Sequence, residues 1–161
     1  MTNFKSLSAH QHWPECRLAI QAAERAGAHL QMMQSEQHRQ QRDVTKKGSI
    51  DFVSNVDLQC EEIICSALHH SAFPILAEER GGDNESHTKW IIDPLDGTTN
   101  YLHGFPAYAV SIALEVENEL LLGVIHNPIL SETFVALKSS GAWLNDGEFI
   151  AQQQLVLPTP S

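Results

Sequence analysis

Cysteine is scarce in this chain: Cys16, Cys60 and Cys65 are the only three. An odd count without paired spacing argues against a disulfide-stapled scaffold and for reduced thiols. Cys60 and Cys65 fall on an expected helix, where they serve as small apolar packing groups. Long apolar runs are missing too. The longest, Leu120-Leu121-Leu122-Gly123-Val124-Ile125, is far too short to span a bilayer. The first residues, Met1-Thr2-Asn3-Phe4-Lys5-Ser6, hold no apolar segment of a secretory signal. These absences make the cytoplasm the default location and leave no membrane partner to expect. Positive charge is also in short supply. Lys and Arg number 10 against 20 Asp and Glu, for a net charge of −10. That balance disfavours direct nucleic-acid binding, which needs cations against phosphates. Histidines number 9, yet none stands in a His-Glu-x-x-His pattern, so no zinc site is expected.

What is present suits one domain. The chain has 161 residues, 42% of them apolar, enough for a real core. Residues 1–12 are polar and are expected to be frayed; residues 13–150 form the folded domain; residues 151–161 are expected to be an unstructured tail. Trp13-Pro14-Glu15 reads as a helix start, with Pro in the first turn. Cys16, Ala19, Ile20, Ala23, Gly27, Leu30 and Met33 then mark one apolar face, ending near residues 38–42. Lys46 to Ser49 reads as a loop and Ile50 to Val53 as a short extended piece. Ser54-Asn55-Val56-Asp57 resembles a capping box opening a second helix, which Phe73-Pro74 ends. Beyond residue 106, alternating apolar runs separated by Glu117-Asn118, Asn127-Pro128 and Asn145-Asp146-Gly147 read as consecutive strands. Short turns between them imply an antiparallel sheet. The expected class is α+β, with two N-terminal helices packed on a mainly antiparallel sheet.

The chemistry concentrates in Trp90-Ile91-Ile92-Asp93-Pro94-Leu95-Asp96-Gly97-Thr98-Thr99-Asn100. A short buried strand runs into two carboxylates, Asp93 and Asp96. Pro94 between them forbids helix, and Asp96-Gly97 signals a turn. Thr98-Thr99 offers hydroxyls and free amides where a short helix can begin. Carboxylate oxygens suit Mg2+, and helix-start amides suit phosphate. On the residues alone this is either a plain turn after a strand or a metal-assisted phosphate site. Upstream, Pro74-Ile75-Leu76-Ala77 reads as a strand delivering Glu78-Glu79, with Gly81-Gly82-Asp83-Asn84 as a flexible turn region.

Asp93-Pro94-Leu95-Asp96-Gly97-Thr98-Thr99-Asn100-Tyr101, followed by His103-Gly104-Phe105-Pro106, resembles the signature of the inositol monophosphatase family. The resemblance covers roughly residues 13–150 and only the N-terminal part of that family's layered αβαβα fold. It implies a Mg2+-dependent, lithium-sensitive phosphomonoesterase. It also implies metal ligation by Glu78, Asp93, the Leu95 carbonyl and Asp96. Phosphate would be held by Gly97 and Thr98, and the attacking water positioned by Glu78 and Thr98, with Asp57 behind Thr98. Asp57 therefore has two readings, helix capping and orientation of Thr98. Lys46 and Asp51 match supporting polar positions around the metals. Arg80 and Leu95 depart from the residues usual in the family. Nothing matches the family's C-terminal part, which carries a further acidic ligand.

The resemblance implies a small phosphorylated substrate, inositol monophosphate first. 3′,5′-Bisphosphate nucleotidase and sugar bisphosphatase activities are the alternatives within the same chemistry. An inactive fragment, half of a split enzyme or a protein-interaction module is the non-enzymatic alternative. A homodimer or a complementing C-terminal chain is the matching partner.

Overall fold

The structure is a computed structural model that describes residues 4, 7–40, 49–78, 81–82, 85–145 and 147–150, without the side chains of 37–40, 49–51 and 147–150. Lys46 and the expected tail 151–161 lie outside the described residues. Helix α1 spans Trp13–Gln40 and helix α2 spans Ser49–Leu68. Strands β1 (Ile75–Ala77), β2 (Gly81–Gly82) and β3 (Lys89–Asp96) follow, then the short helix α3 (Thr98–Leu102). Strands β4 (Ala109–Val116), β5 (Glu119–Asn127), β6 (Glu132–Leu137), β7 (Gly141–Leu144) and β8 (Gly147–Ile150) are the last described elements. The eight strands among the described residues join one sheet in the order β2-β1-β3-β4-β5-β6-β7-β8. Every adjacent pair is antiparallel except β1 with β3, which run parallel. The expected class, two N-terminal helices on a mainly antiparallel sheet, is the observed one.

Alternation along the strands decides which face meets the helices. Trp90 and Ile92 of β3, Val110, Ile112 and Leu114 of β4, and Leu122 and Val124 of β5 are all buried. They pack against Ala19, Ala23, Ala26 and Leu30 of α1 and Val53, Val56, Cys60 and Ile64 of α2. The residues between them, Ile91, Ala113, Gly123 and Ala136, stand in one register row on the opposite face. That outer face carries no helix among the described residues. None of the helices there is long and apolar enough to cross a membrane.

Several expectations need correction. Helix α2 begins at Ser49, so residues 50–53 are helical and Ser54 lies inside the helix. Val53 extends the stripe Val56, Cys60, Ile64, Leu68 by one more turn toward the N-terminus, and all five are buried. Burial of that stripe overrides the β preference of the branched residues. Asp57 consequently sits within the helix, and its capping role falls away. The frayed N-terminus is likewise not what is seen at its described positions. Phe4 is 0% and Leu7 1% exposed, both in the core, and His10 Nε2 meets the Ser140 hydroxyl at 2.9 Å. Two large apolar side chains near a terminus suffice to dock it. Gly81 and Gly82 pair with Ala77 and Leu76 as the edge of the sheet rather than forming a loose turn, which satisfies the outer backbone groups of β1.

The small residues of α1 let it lie close to the sheet. A Cβ placed on Gly27 would fall 2.5 Å from His126 Cδ2 and 3.1 Å from Pro128 Cβ. The His126 ring cannot swing away freely, because it is buried and its Nδ1 meets the Thr133 hydroxyl at 2.9 Å. Burial holds the His126 pKa below its usual value, keeping the ring neutral against the helix. Gly to Ala inside a helix ordinarily gains about 1 kcal/mol. Here Gly27→Ala is expected to lose roughly 1–3 kcal/mol by overpacking instead. Urea unfolding of the two proteins checks the sign, and a stabilised variant would refute the close approach.

Candidate active site

Strand β3 delivers the central residues, and its ladder with β4 shows why. Asp93 pairs with Ser111, but the next pairing is Asp96 with Ala109, one residue out of step. This bulge accommodates Pro94, which has no N–H for the ladder. The expected strand 90–92 thus continues through Asp96 with a kink. Ile92 faces the helices, so Asp93 faces outward, in the row that contains Ser111 and Ile125. The Asp93 Oδ1 accepts a hydrogen bond from the Leu95 N–H at 3.1 Å, which closes the turn locally.

Glu78 arrives from a different part of the chain. The parallel pairing of β1 with β3 sets Ala77 opposite Ile92, so the next residues along, Glu78 and Asp93, emerge side by side. Burial, the Glu78 charge and the Asp96 charge push the Asp93 carboxyl up to about 6. Like charges crowded at a strand end favour either a retained proton or a cation between them. Glu78 and Asp96 are solvent-exposed while Asp93 is half-buried, so the cluster is open to solution.

The turn beyond is set by Gly97, at φ 90° and ψ 34°. Its left-handed backbone reverses the chain, so that α3 starts at Thr98. The Thr98 hydroxyl donates to the Leu95 carbonyl at 3.0 Å. That hydroxyl proton is committed within the turn, on the very oxygen that the resemblance assigns to metal. Asp57 is buried on α2, and α2 packs against α3. Asp51 lies in the first turn of α2, its side chain outside the described residues, as is all of Lys46.

The donor set of Glu78, Asp93, Asp96 and the Leu95 carbonyl consists of hard oxygens, which suits Mg2+ rather than a softer ion. The raised Asp93 pKa supplies the physical fit, because a divalent cation would offset both causes of it, the burial of the charge first and the crowding by Glu78 and Asp96 second. Among the described residues, no three acidic, His or Cys side chains already close round one point. Sequence motifs do not reveal Gln34 or Tyr108, whose side chains meet beside the turn: the Tyr108 hydroxyl donates to Gln34 Oε1 at 3.1 Å. They lie 74 positions apart, and only the packing of α1 brings them together.

A model of the inositol monophosphatase family matches residues 14–159. The Nus factor SuhB of Vibrio cholerae serotype O1 is 40% identical over 144 residues, covering 86% of this chain and 53% of that protein. An inositol-1-monophosphatase of Mesorhizobium japonicum is 43% identical over 132 residues, covering 79% of this chain and 48% of its own. The crystal structure of the extragenic suppressor protein SuhB from Bartonella henselae superposes with a TM-score of 0.71 at 39% identity, over 84% of this chain and 52% of that one. The chain spans about half the length of the relatives it matches.

Proposed function

The chain belongs to the inositol monophosphatase family, and from that premise we propose that it takes part in Mg2+-dependent hydrolysis of a small phosphate monoester, inositol monophosphate first. The observation that carries this reading is the strand end where Asp93 is held up to about 6 by burial, Glu78 and Asp96, directly before the Gly97 turn that starts α3. Glu78, Asp93, the Leu95 carbonyl and Asp96 would hold the metal. When bound, Mg2+ supplies charge neutralisation and Lewis-acid activation at phosphorus. The amides of Gly97 and Thr98 would hold phosphate oxygens, and Glu78 with Thr98 would orient the attacking water. Asp57, buried on α2, would act through Thr98 once the hydroxyl leaves the Leu95 carbonyl. Lys46 and Asp51 would be supporting polar residues of the site. Lithium sensitivity and a cytoplasmic location belong to the same reading.

Bisphosphate nucleotidase and sugar bisphosphatase activities use the same residues, and a substrate panel separates them. A partner belongs to the proposal: a segment matching the rest of the family's length, on this or another polypeptide, with a homodimer as the competing outcome. Its support is the outer sheet face, where Ile91, Ala113, Gly123 and Ala136 form a small apolar row. A Cβ on Gly123 would meet nothing within 4 Å. A non-enzymatic role, as an inactive fragment or protein-interaction module, is favoured by one finding, the name Nus factor carried by the Vibrio relative.

Phosphate release from inositol 1-phosphate by the purified chain, with and without Mg2+ and beside Asp93→Asn, tests the reading. Mg2+-dependent release that the variant loses is the expected result. Release equal in both proteins, or absent even when a C-terminal half from a relative is added, would overturn the enzymatic reading in favour of the interaction module.

A further inference from the structure

Helix α3 has five residues, far below the roughly 12–15 at which an isolated helix holds its shape in water. Its orientation must come from what grips it. Tyr101, fully buried on α3, donates its hydroxyl to the Leu30 carbonyl of α1 at 2.9 Å. Tyr108, just before β4, donates to Gln34 Oε1 at 3.1 Å. The Gln34 amide in turn reaches the Tyr101 carbonyl at 3.5 Å. The two rings meet edge to face, with centroids 5.0 Å apart and planes at 82°. On the other side the circuit returns to the turn. The Tyr101 N–H donates to the Gly97 carbonyl at 3.0 Å, and a Cβ on Gly97 would lie 2.8 Å from the Ala107 carbonyl oxygen. Asn100 Nδ2 donates to that same Ala107 oxygen at 2.7 Å.

Packing alone does not require the hydroxyls. Phenylalanine at 101 and 108 would fill the same space and bury the same rings. A buried hydroxyl is costly unless paired, and each of these is paired to α1. What the hydroxyls add is direction. Burial pushes the Tyr108 phenol up to about 12 and the Tyr101 phenol upward as well, so both stay protonated donors.

We propose that Gln34, Tyr101 and Tyr108 are positioning residues, through which α1 braces the Asp96–Thr98 turn. This rests on the reading of that turn as part of the metal and phosphate site. The test uses Tyr101→Phe, Tyr108→Phe and the double variant, with Gln34→Ala cutting the same circuit from α1. Amide hydrogen exchange is followed in peptides spanning residues 97–108 and 119–127, and Mg2+ alone is titrated by calorimetry. In the double variant, which loses both hydroxyl hydrogen bonds, exchange over 97–108 is expected to quicken about thirtyfold, while 119–127 stays unchanged. The Mg2+ Kd should rise several-fold. Unchanged exchange over 97–108 would overturn the brace, as would quickening spread evenly through the sheet. Wild-type protein that shows no Mg2+ binding would sink the metal-site reading instead. The exchange pattern would still decide the brace, for or against, by whether the change is confined to 97–108.

Discussion

Gly97→Ala is expected to destabilise the chain by about 2–4 kcal/mol, the sum of a backbone and a steric cost. The backbone cost follows from φ 90° and ψ 34°, a left-handed conformation that an L side chain adopts at about 1–2 kcal/mol. The steric cost follows from what the new Cβ meets: the Ala107 carbonyl oxygen at 2.8 Å and Tyr108 Cα at 3.2 Å. Both are backbone atoms, and Asn100 and the Tyr108 hydroxyl already tie that segment down. For a chain of this size the melting temperature should fall by roughly 5–15 °C. Thermal unfolding followed by circular dichroism checks it. Gly97→Asn separates the two causes, since Asn tolerates left-handed φ but carries the same Cβ. Equal loss in both variants would assign the effect to the close approach. A variant melting within a degree of wild type would mean that the turn is not held as described. Because the turn positions Asp96 and Thr98, Mg2+ binding should weaken along with stability.

Local patterns carried much of this architecture. Cys16, Ala19, Ile20 and Ala23 repeat at the helical period and are indeed the buried face of α1. Val110, Ile112 and Leu114 alternate and are buried together. The turn at Glu117-Asn118 takes positive φ at both residues, 53° and 63°, as a two-residue hairpin demands. Asp93, Leu95, Asp96 and Thr98 were readable because they share one short motif. What escaped depends on distance along the chain. The parallel pairing that sets Glu78 beside Asp93 is a matter of register between separate segments, and no local period encodes it. The Tyr108–Gln34 bond requires α1 to cross the sheet at one particular height. The start of α2 was missed because Ile50 and Val53 carry strand propensity, which tertiary burial overrode. Phe4 and Leu7 were missed because two apolar residues in a polar segment form no period at all.

Asp93→Asn is expected to raise stability without metal and to remove the response to metal. The Asp93 carboxyl titrates near 3.8 when unperturbed and about 6 in the fold. Between those values the folded state holds more protons than the unfolded one, so stability falls as pH rises through the window and stays low above it. The full shift would correspond to about 3 kcal/mol at 1.36 kcal/mol per unit, but Asp93 is only half-buried. Solvent screening brings the expected effect to about 1 kcal/mol. Asparagine removes the charge yet keeps the side-chain oxygen that accepts from the Leu95 N–H at 3.1 Å, so the turn persists. At pH 7.5 the metal-free variant should therefore melt about 2–4 °C higher than wild type, and at pH 3.5, below the unfolded carboxyl's 3.8, the two should converge. Mg2+ should reverse the order. A ligand at a hundredfold excess over its Kd stabilises the protein that binds it by about 2.7 kcal/mol. Wild type should gain on that scale, and the variant, lacking an anionic oxygen, should gain little. Melting curves at both pH values, with and without Mg2+, give four comparisons. A metal-free variant less stable than wild type at pH 7.5 would mean that Asp93 is a structural carboxylate whose charge the fold already neutralises. A wild type indifferent to Mg2+ would mean that Glu78, Asp93 and Asp96 do not hold a cation within this chain, and would sink the metal-site reading.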